Sequence, residues 1–344
     1  MGTGLKSIAE IVAGDEYGFL RTDERLNGRL VFLTFGGSHA YGTATEGSDV
    51  DIRGCAFNSR PDLIGMGGFE QVVDVDVDTT VYSFKKFIKL IIDCNPNTIE
   101  MLGCKPEHYV MFSPVGQELI DNRKMFMSKR AVYSFGGYAN QQLRRLQNAL
   151  ARDSYPQAEK ERHILGSIKS AMMFFNDRYE SFPEGAISLS IDKSGSEGLE
   201  SEIFMDIDLK HYPLRDYKNM WGDMNSIVKE YGKLNKRNRK KDDLHLNKHA
   251  MHLIRLYLMC LDILEKGEVN TYRGDDLGLL MHIRGGGFQK EDGTFRMEFF
   301  DMVSEYEKRL DYAAANTGLP ETPDYGRIEE FMMDVNEKVV RGEY

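Results

Sequence analysis

The chain has 344 residues, which suggests about two domains, and its 54 acidic and 44 basic side chains give a formal net charge of −10. Apolar residues make up 41% and charged residues 28%, as in soluble globular proteins, and nine prolines without a repeat exclude collagen and argue against a long disordered chain. The acidic sum excludes bulk electrostatic coating of nucleic acid but leaves room for a local basic site.

In chain order, Leu30 to Phe35 is an apolar run stopping at Gly36-Gly37, which predicts a buried strand. Val50 to Phe57 predicts a second strand and Gln71 to Val81 a third, in which Val73, Val75 and Val77 alternate with Asp74, Asp76 and Asp78. Phe84 to Asp93 shifts to helical spacing, and Asn95-Pro96-Asn97 signals a turn. Beyond residue 126 the pattern predicts helices over Ser128–Arg152, Glu159–Arg178, Asp216–Tyr231, Leu246–Glu265 and Arg296–Ala315, with loops at Asp192–Ser201 and Lys233–Asp243. The expected division is therefore a sheet-containing domain over residues 1–125 and a mostly helical domain over 126–344. The longest strongly apolar stretch, Leu253 to Leu264, is short and holds Arg255 and Asp262, so no membrane span is expected. The N-terminus lacks an apolar signal core, and the four cysteines show no Cys-x-x-Cys spacing, so a reduced, cytoplasmic protein is expected.

One stretch carries chemistry: Gly37-Ser38-His39-Ala40-Tyr41-Gly42-Thr43, then Glu46-Gly47-Ser48-Asp49-Val50-Asp51. Paired glycines at a strand end let the backbone approach a ligand closely, and free N–H groups with a serine hydroxyl suit phosphate. On a strand, Asp49 and Asp51 would share one face, and adjacent carboxylates repel unless a hard cation such as Mg²⁺ or Mn²⁺ lies between them. A phosphate cradle facing such acids is equipment for phosphoryl or nucleotidyl transfer, and the Asp74/Asp76/Asp78 run offers a third carboxylate. Gly-Gly-Ser and Asp-x-Asp are each common alone. Their combination between apolar strands, followed by an acidic strand, is not.

This stretch resembles the core motif of the DNA polymerase β-like nucleotidyltransferase superfamily, Gly-Ser followed about ten residues later by Asp-x-Asp. More narrowly it resembles the RNA-repair-pathway branch. Further segments support that branch: Val81-Tyr82-Ser83-Phe84-Lys85-Lys86-Phe87, Asn95 through Glu100, Lys248 through Leu256, Ile283-Arg284-Gly285-Gly286-Gly287 and Leu319 through Tyr325. The resemblance implies an α+β fold, a small mixed sheet backed by helices and followed by a helical part. It implies that Gly37 and Ser38 hold the triphosphate of an NTP, and that Asp49 and Asp51 hold Mg²⁺ or Mn²⁺. The third acid falls on Asp78, or on Asp76 if the register slips by one strand step. Arg53 touches a phosphate or neutralises the acids. The acceptor it points to is an RNA 3′ end. The same chemistry on a protein or small-molecule hydroxyl, and a nucleotide- or RNA-binding module without chemistry, are the alternatives.

A second candidate lies on the 246–265 helix, where Lys248, His252 and Arg255 follow i, i+4, i+7 on an otherwise apolar surface. A basic stripe on a buried helix needs an anionic partner: a triphosphate, an RNA phosphate or the carboxylates of the first domain. A zinc reading of His245, His249 and His252 fails the His-Glu-x-x-His pattern, because residue 246 is Leu. Upstream, six of the nine residues from Lys233 to Lys241 are basic. Lys236, Arg237, Arg239 and Lys240 are candidates for nucleic-acid phosphates, the alternative being a solvated loop.

Overall fold

The computed structural model describes residues 7–154, 187–193, 195, 201–208, 210, 211, 213, 221, 222, 224, 225, 243–291 and 293–344. Five strands form one sheet: β1 (Leu30–Phe35), β2 (Ile52–Ala56), β3 (Gln71–Asp74), β4 (Thr79–Ser83) and β5 (Tyr109–Met111). Their order is β3-β4-β2-β1-β5. Only β2 and β4 run parallel, so the sheet is mixed, as the resemblance implied.

The register decides where the site lies. Phe35 of β1 pairs with Ile52 of β2, and Ile52 pairs with Thr79 of β4. The C-terminal end of β1 and the N-terminal ends of β2 and β4 therefore meet at one edge of the sheet. One step beyond that edge the backbone stays tied. Gly36 N–H donates to the Asp51 carbonyl at 2.8 Å, and Ile52 N–H donates to the Asp78 carbonyl at 3.2 Å.

Behind the sheet sits the core. Val31, Phe32, Leu33, Ile52, Cys55 and Val81 are fully buried. After β1 comes α1 (Gly37–Tyr41), and after β4 comes α2 (Phe84–Ile92). In α2, Phe84, Phe87, Ile88 and Ile91 repeat at helical spacing and are the residues buried, with Phe87 edge-on to Phe32 at 5.7 Å. Ser83 caps α2 by accepting the Lys86 N–H at 3.2 Å. Further helices follow: α3 (Arg130–Ser154), α4 (Asp243–Leu261), α5 (Leu277–Arg284), α6 (Met297–Asn316) and α7 (Tyr325–Arg341). α4 runs on into a π-helical turn at Asp262–Lys266 and packs against α5 and α6. Among the described residues no helix is long and apolar enough to cross a membrane.

By contacts, residues 1–144 and 243–344 form one compact unit and residues 145–242 another. The second unit contains a hairpin, β6 (Ile187–Lys193) and β7 (Ser201–Ile207), paired from Ile187↔Ile207 to Lys193↔Ser201.

Three expectations need correction. Gln71 to Val81 is not one strand but the β3–β4 hairpin, with Val75 to Asp78 in its turn. Asp74 explains the break, since its side chain accepts the N–H groups of Asp76 at 3.0 Å and Val77 at 3.3 Å, a local bond that competes with a strand. Next, β2 begins only at Ile52, so Asp49 lies in a loop and not on a strand face. Asp192 and Ser201, expected at the limits of a loop, belong to β6 and β7. The helix predicted over Glu159–Arg178 and the basic run Lys233–Lys241 lie outside the described residues, as does most of Asp216–Tyr231.

Candidate active site

At the sheet edge fixed by the register, the glycines after β1 make room for side chains. Gly37 has φ +53°, and a Cβ there would lie 1.9 Å from Asp51 Oδ2. A Cβ on Gly36 would lie 2.9 Å from Arg53 Cγ. Both positions bring the backbone against the acid cluster, and at Gly37 only glycine suits the conformation as well as the space.

Arg53 binds that cluster together. Its Nη2 lies 3.2 Å from Asp51 Oδ1 and 3.1 Å from Asp78 Oδ1. Its Nη1 donates to the carbonyls of Asp78 at 2.6 Å and Ile52 at 3.0 Å. Asp78 has φ +39°, a left-handed conformation costly for a residue with a Cβ, in the turn that turns its carboxylate toward Asp51. Burial pushes the Asp51 carboxyl up to about 6 and Asp78 adds to this, against the pull of Arg53 and Lys248. Partial burial also opposes ionisation of Asp78, but the hydrogen bond with Asp51 and the Arg53 guanidinium hold its carboxyl below the usual range. One arginine therefore does not fully compensate the two acids.

Asp49 is exposed and lines a cleft of about 660 Å³ together with Asp76 and Asp78. Glu10, Glu16 and Tyr17 line the same cleft. The structure thus brings Asp78, not Asp76, against Asp51, and sets Asp49 on the rim of the neighbouring cleft. Among the described residues no three His, Cys, Asp or Glu side chains are gathered as a finished metal cage. The donor set nevertheless fits a hard divalent ion: Asp51 and Asp78 present carboxylate oxygens on either side of one guanidinium, and burial, with Asp78 adding to it, raises the Asp51 carboxyl.

The basic stripe on α4 divides. Lys248 is exposed, and its charge favours ionisation of both Asp51 and Asp78. His252 is half-buried, and its Nδ1 accepts from Arg255 Nη2 at 2.8 Å. Arg255, expected to face a nucleotide, turns inward instead and is only 2% exposed. Its Nη1 pairs with Glu100 Oε2 at 3.2 Å, and its guanidinium carbon lies 3.5 Å from the centre of the Tyr41 ring. Tyr41, the last residue of α1, donates its hydroxyl to the same Glu100 oxygen at 2.5 Å. Burial holds the Tyr41 phenol well above its ordinary value, so it remains a donor. The Glu100 carbonyl accepts from Thr271 Oγ1 at 2.5 Å and from Cys104 Sγ at 3.5 Å, and burial pushes the Cys104 thiol up to about 12. Of the partners open to this stripe, Arg255 has taken a protein carboxylate. Glu100 itself was legible only as part of the Asn95–Glu100 segment. Of the histidines considered for zinc, His249 Nδ1 lies 3.2 Å from Gln142 Oε1, and the side chain of His245 is outside the described residues. Lys236, Arg237, Arg239 and Lys240 are outside them as well.

Residues 15–168 match the model of the family RlaP, described as the RNA repair pathway DNA polymerase beta family. The matched stretch contains the whole sheet and the Gly37–Asp78 cluster. The chain is also similar to an uncharacterized 38.9 kDa protein from the nrdC-mobD intergenic region of Enterobacteria phage T4. The two are 22% identical over 329 residues, which covers 88% of this chain and 96% of that protein. No solved structure matches. The mixed sheet, the glycine turn and the Asp-x-Asp segment all lie inside the residues that match the RNA repair pathway DNA polymerase beta family.

Proposed function

We propose that the protein transfers the NMP moiety of an NTP to an acceptor hydroxyl, with release of pyrophosphate, and that the acceptor is an RNA 3′ end. The match of residues 15–168 to the RNA repair pathway DNA polymerase beta family supports a nucleotidyltransferase-type role in RNA repair. The observation that carries the finer reading is the row formed by the Gly36-Gly37 turn, Asp51 and Asp78. There the sheet register places two incompletely neutralised carboxylates beside a backbone that only glycine permits.

In this reading Asp49, Asp51 and Asp78 hold Mg²⁺ or Mn²⁺, and Gly37 and Ser38 receive the triphosphate. A divalent ion there would neutralise phosphate charge and favour ionisation of the acceptor hydroxyl. Asp78 is assigned to take the hydroxyl proton: it lies beside Asp51 on the shared Arg53 and is ionised at neutral pH, so it has a free oxygen to accept one. Lys248 stands on the exposed side of α4 with its charge felt by both acids, a position suited to a phosphate. Arg53 is held by those acids, and His252 lies beside Arg255. Both are assigned to the nucleotide through the pairs that orient them. Arg255 supports the site from below, by fixing Tyr41 at the end of α1.

The test is incubation with each α-labelled NTP, Mn²⁺ and RNA. Label is expected on the RNA 3′ end with the wild-type protein and to be absent with Asp49→Ala and Asp51→Ala, both still melting cooperatively. Full transfer by both variants would refute the mechanism. Label on protein and never on RNA would replace the RNA acceptor with a protein hydroxyl.

A further inference from the structure

The loop between α1 and β2, residues 42–51, carries Asp49 yet is neither helix nor strand. A carboxylate that must meet a cation at fixed geometry needs its loop held, because an unrestrained loop retains backbone entropy that binding has to overcome. Part of the hold is local: Thr45 N–H donates to Ser48 Oγ at 2.8 Å, and Ser48 N–H donates to the Thr45 carbonyl at 2.9 Å, closing a turn. The rest comes from more than two hundred residues away. Arg284, in the last turn of α5, donates from Nη1 to the Thr43 carbonyl. Its Nη2 donates to Thr45 Oγ1 at 3.2 Å and approaches Ser48 Oγ at 3.5 Å. Among the described residues Arg284 is paired with no carboxylate, so these loop oxygens are its partners.

The glycines after Arg284 explain its direction. Gly286 has φ +84°, and a Cβ on Gly287 would lie 2.2 Å from the His282 imidazole. The chain therefore folds back tightly over the end of α5, and the helix stops with Arg284 against the loop.

We infer that Arg284 is a positioning residue of the transfer site: by tying Thr43, Thr45 and Ser48 together it sets where Asp49 meets the divalent ion. This rests on the reading of Asp49 as a metal ligand. The planar fork of an arginine serves two acceptors at once, whereas a lysine is a point charge without that planar fork.

The experiment is Mn²⁺ titration of the full chain without nucleotide, following free Mn²⁺ by electron paramagnetic resonance, with thermal melting to confirm folding. Asp49→Ala is expected to weaken Mn²⁺ binding, and Arg284→Ala to weaken it roughly tenfold. Arg284→Lys should recover part of that loss. The double variant Arg284→Ala/Asp49→Ala should bind no more weakly than Asp49→Ala alone, because Arg284 acts through Asp49. Thr45→Val/Ser48→Ala, which keeps Arg284 but removes two of its acceptors, should fall between wild type and Arg284→Ala. It carries the same comparison if Arg284→Ala does not fold. Wild-type affinity in Arg284→Ala alongside weakened Asp49→Ala would overturn the inference and leave the metal reading standing. Losses that multiply in the double variant would also overturn it. Equal binding by wild type and Asp49→Ala would overturn the metal reading of Asp49 and this inference with it.

Discussion

The five-residue helix α1 has a charged cluster at each end, and the two clusters are built differently. At its start, Arg53 is shared between Asp51 and Asp78, Asp78 is more than half exposed, and burial leaves the Asp51 carboxyl near 6. At its end, Arg255, Glu100 and Tyr41 are sealed from solvent, one cation meets one carboxylate, and an aromatic face covers the guanidinium. The first arrangement leaves negative charge for something else to neutralise. The second leaves none. Charge alone therefore did not separate a site from a scaffold; the balance of charge and access to solvent did.

Substitution at each end should separate the two roles. Asp51→Ala should lower nucleotidyl transfer on the order of 10³-fold or more, through loss of a metal-binding carboxylate, with little loss of melting temperature. Glu100→Gln should do the reverse. It leaves the Arg255 charge buried without its counter-ion, which costs about 3 kcal/mol or more. Adding Arg255→Met to Glu100→Gln should cost less than the two single losses together, because the pair is then absent and not broken. Calorimetric melting of the three variants checks this. A melting temperature in Glu100→Gln equal to wild type would mean that the buried pair supports nothing.

A subtler comparison uses the two glycines at the ends of α1, Gly37 as its first residue and Gly42 just after its last. Gly37 and Gly42 both have positive φ, +53° and +79°. Alanine at either should cost roughly 1–2 kcal/mol in backbone strain. The new methyl group meets different neighbours, however: Asp51 Oδ2 at Gly37, and the Tyr272 ring at 2.5 Å at Gly42. Gly37→Ala should therefore weaken Mn²⁺ binding as well as stability, and Gly42→Ala stability alone. Parallel melting and Mn²⁺ titration would show it, and equal Mn²⁺ affinity in the two variants would contradict it.

Much of this was legible in the sequence. The apolar run Leu30–Phe35 is β1 to the residue, because a stretch of bulky residues ended by glycines has one good solution in a buried sheet. The Gly-Ser and Asp-x-Asp segments likewise fell at one sheet edge. What sequence could not give was register and direction. The alternating Val73 to Asp78 pattern has strand period, yet Asp74 binds its own backbone and makes a turn. Arg255 has the spacing of a ligand-facing stripe, but whether its partner was a nucleotide or Glu100 depended on a contact spanning 155 residues. α5 and α7 passed unnoticed. α7 buries only Ile328, Phe331 and Val335, a stripe too narrow to stand out among its charges.

The smallest effect expected bears on the pH dependence of the open end of α1. The Asp51 carboxyl lies near 6 in the folded chain against an ordinary 3.8. As pH rises, the unfolded chain gives up this proton first. The stability contributed by Asp51 is thus complete below its ordinary value and is lost as pH rises through about 6. Asp78 has the opposite sign. Its contribution is present above its ordinary value and is lost only as pH falls through its lowered one, so from roughly pH 4.5 to 7 Asp51 dominates the change. Asp51→Asn removes the titration while Arg53 keeps Asp78. The variant should melt roughly one to three degrees above wild type at pH 8, and the gap should close toward pH 4. Adding Mn²⁺ at pH 8 should raise the wild type and not the variant, which narrows the gap from the other side. A gap that stays constant across this range would mean that the acid pair carries no uncompensated charge, and the contrast between the two ends of α1 would then rest on exposure alone.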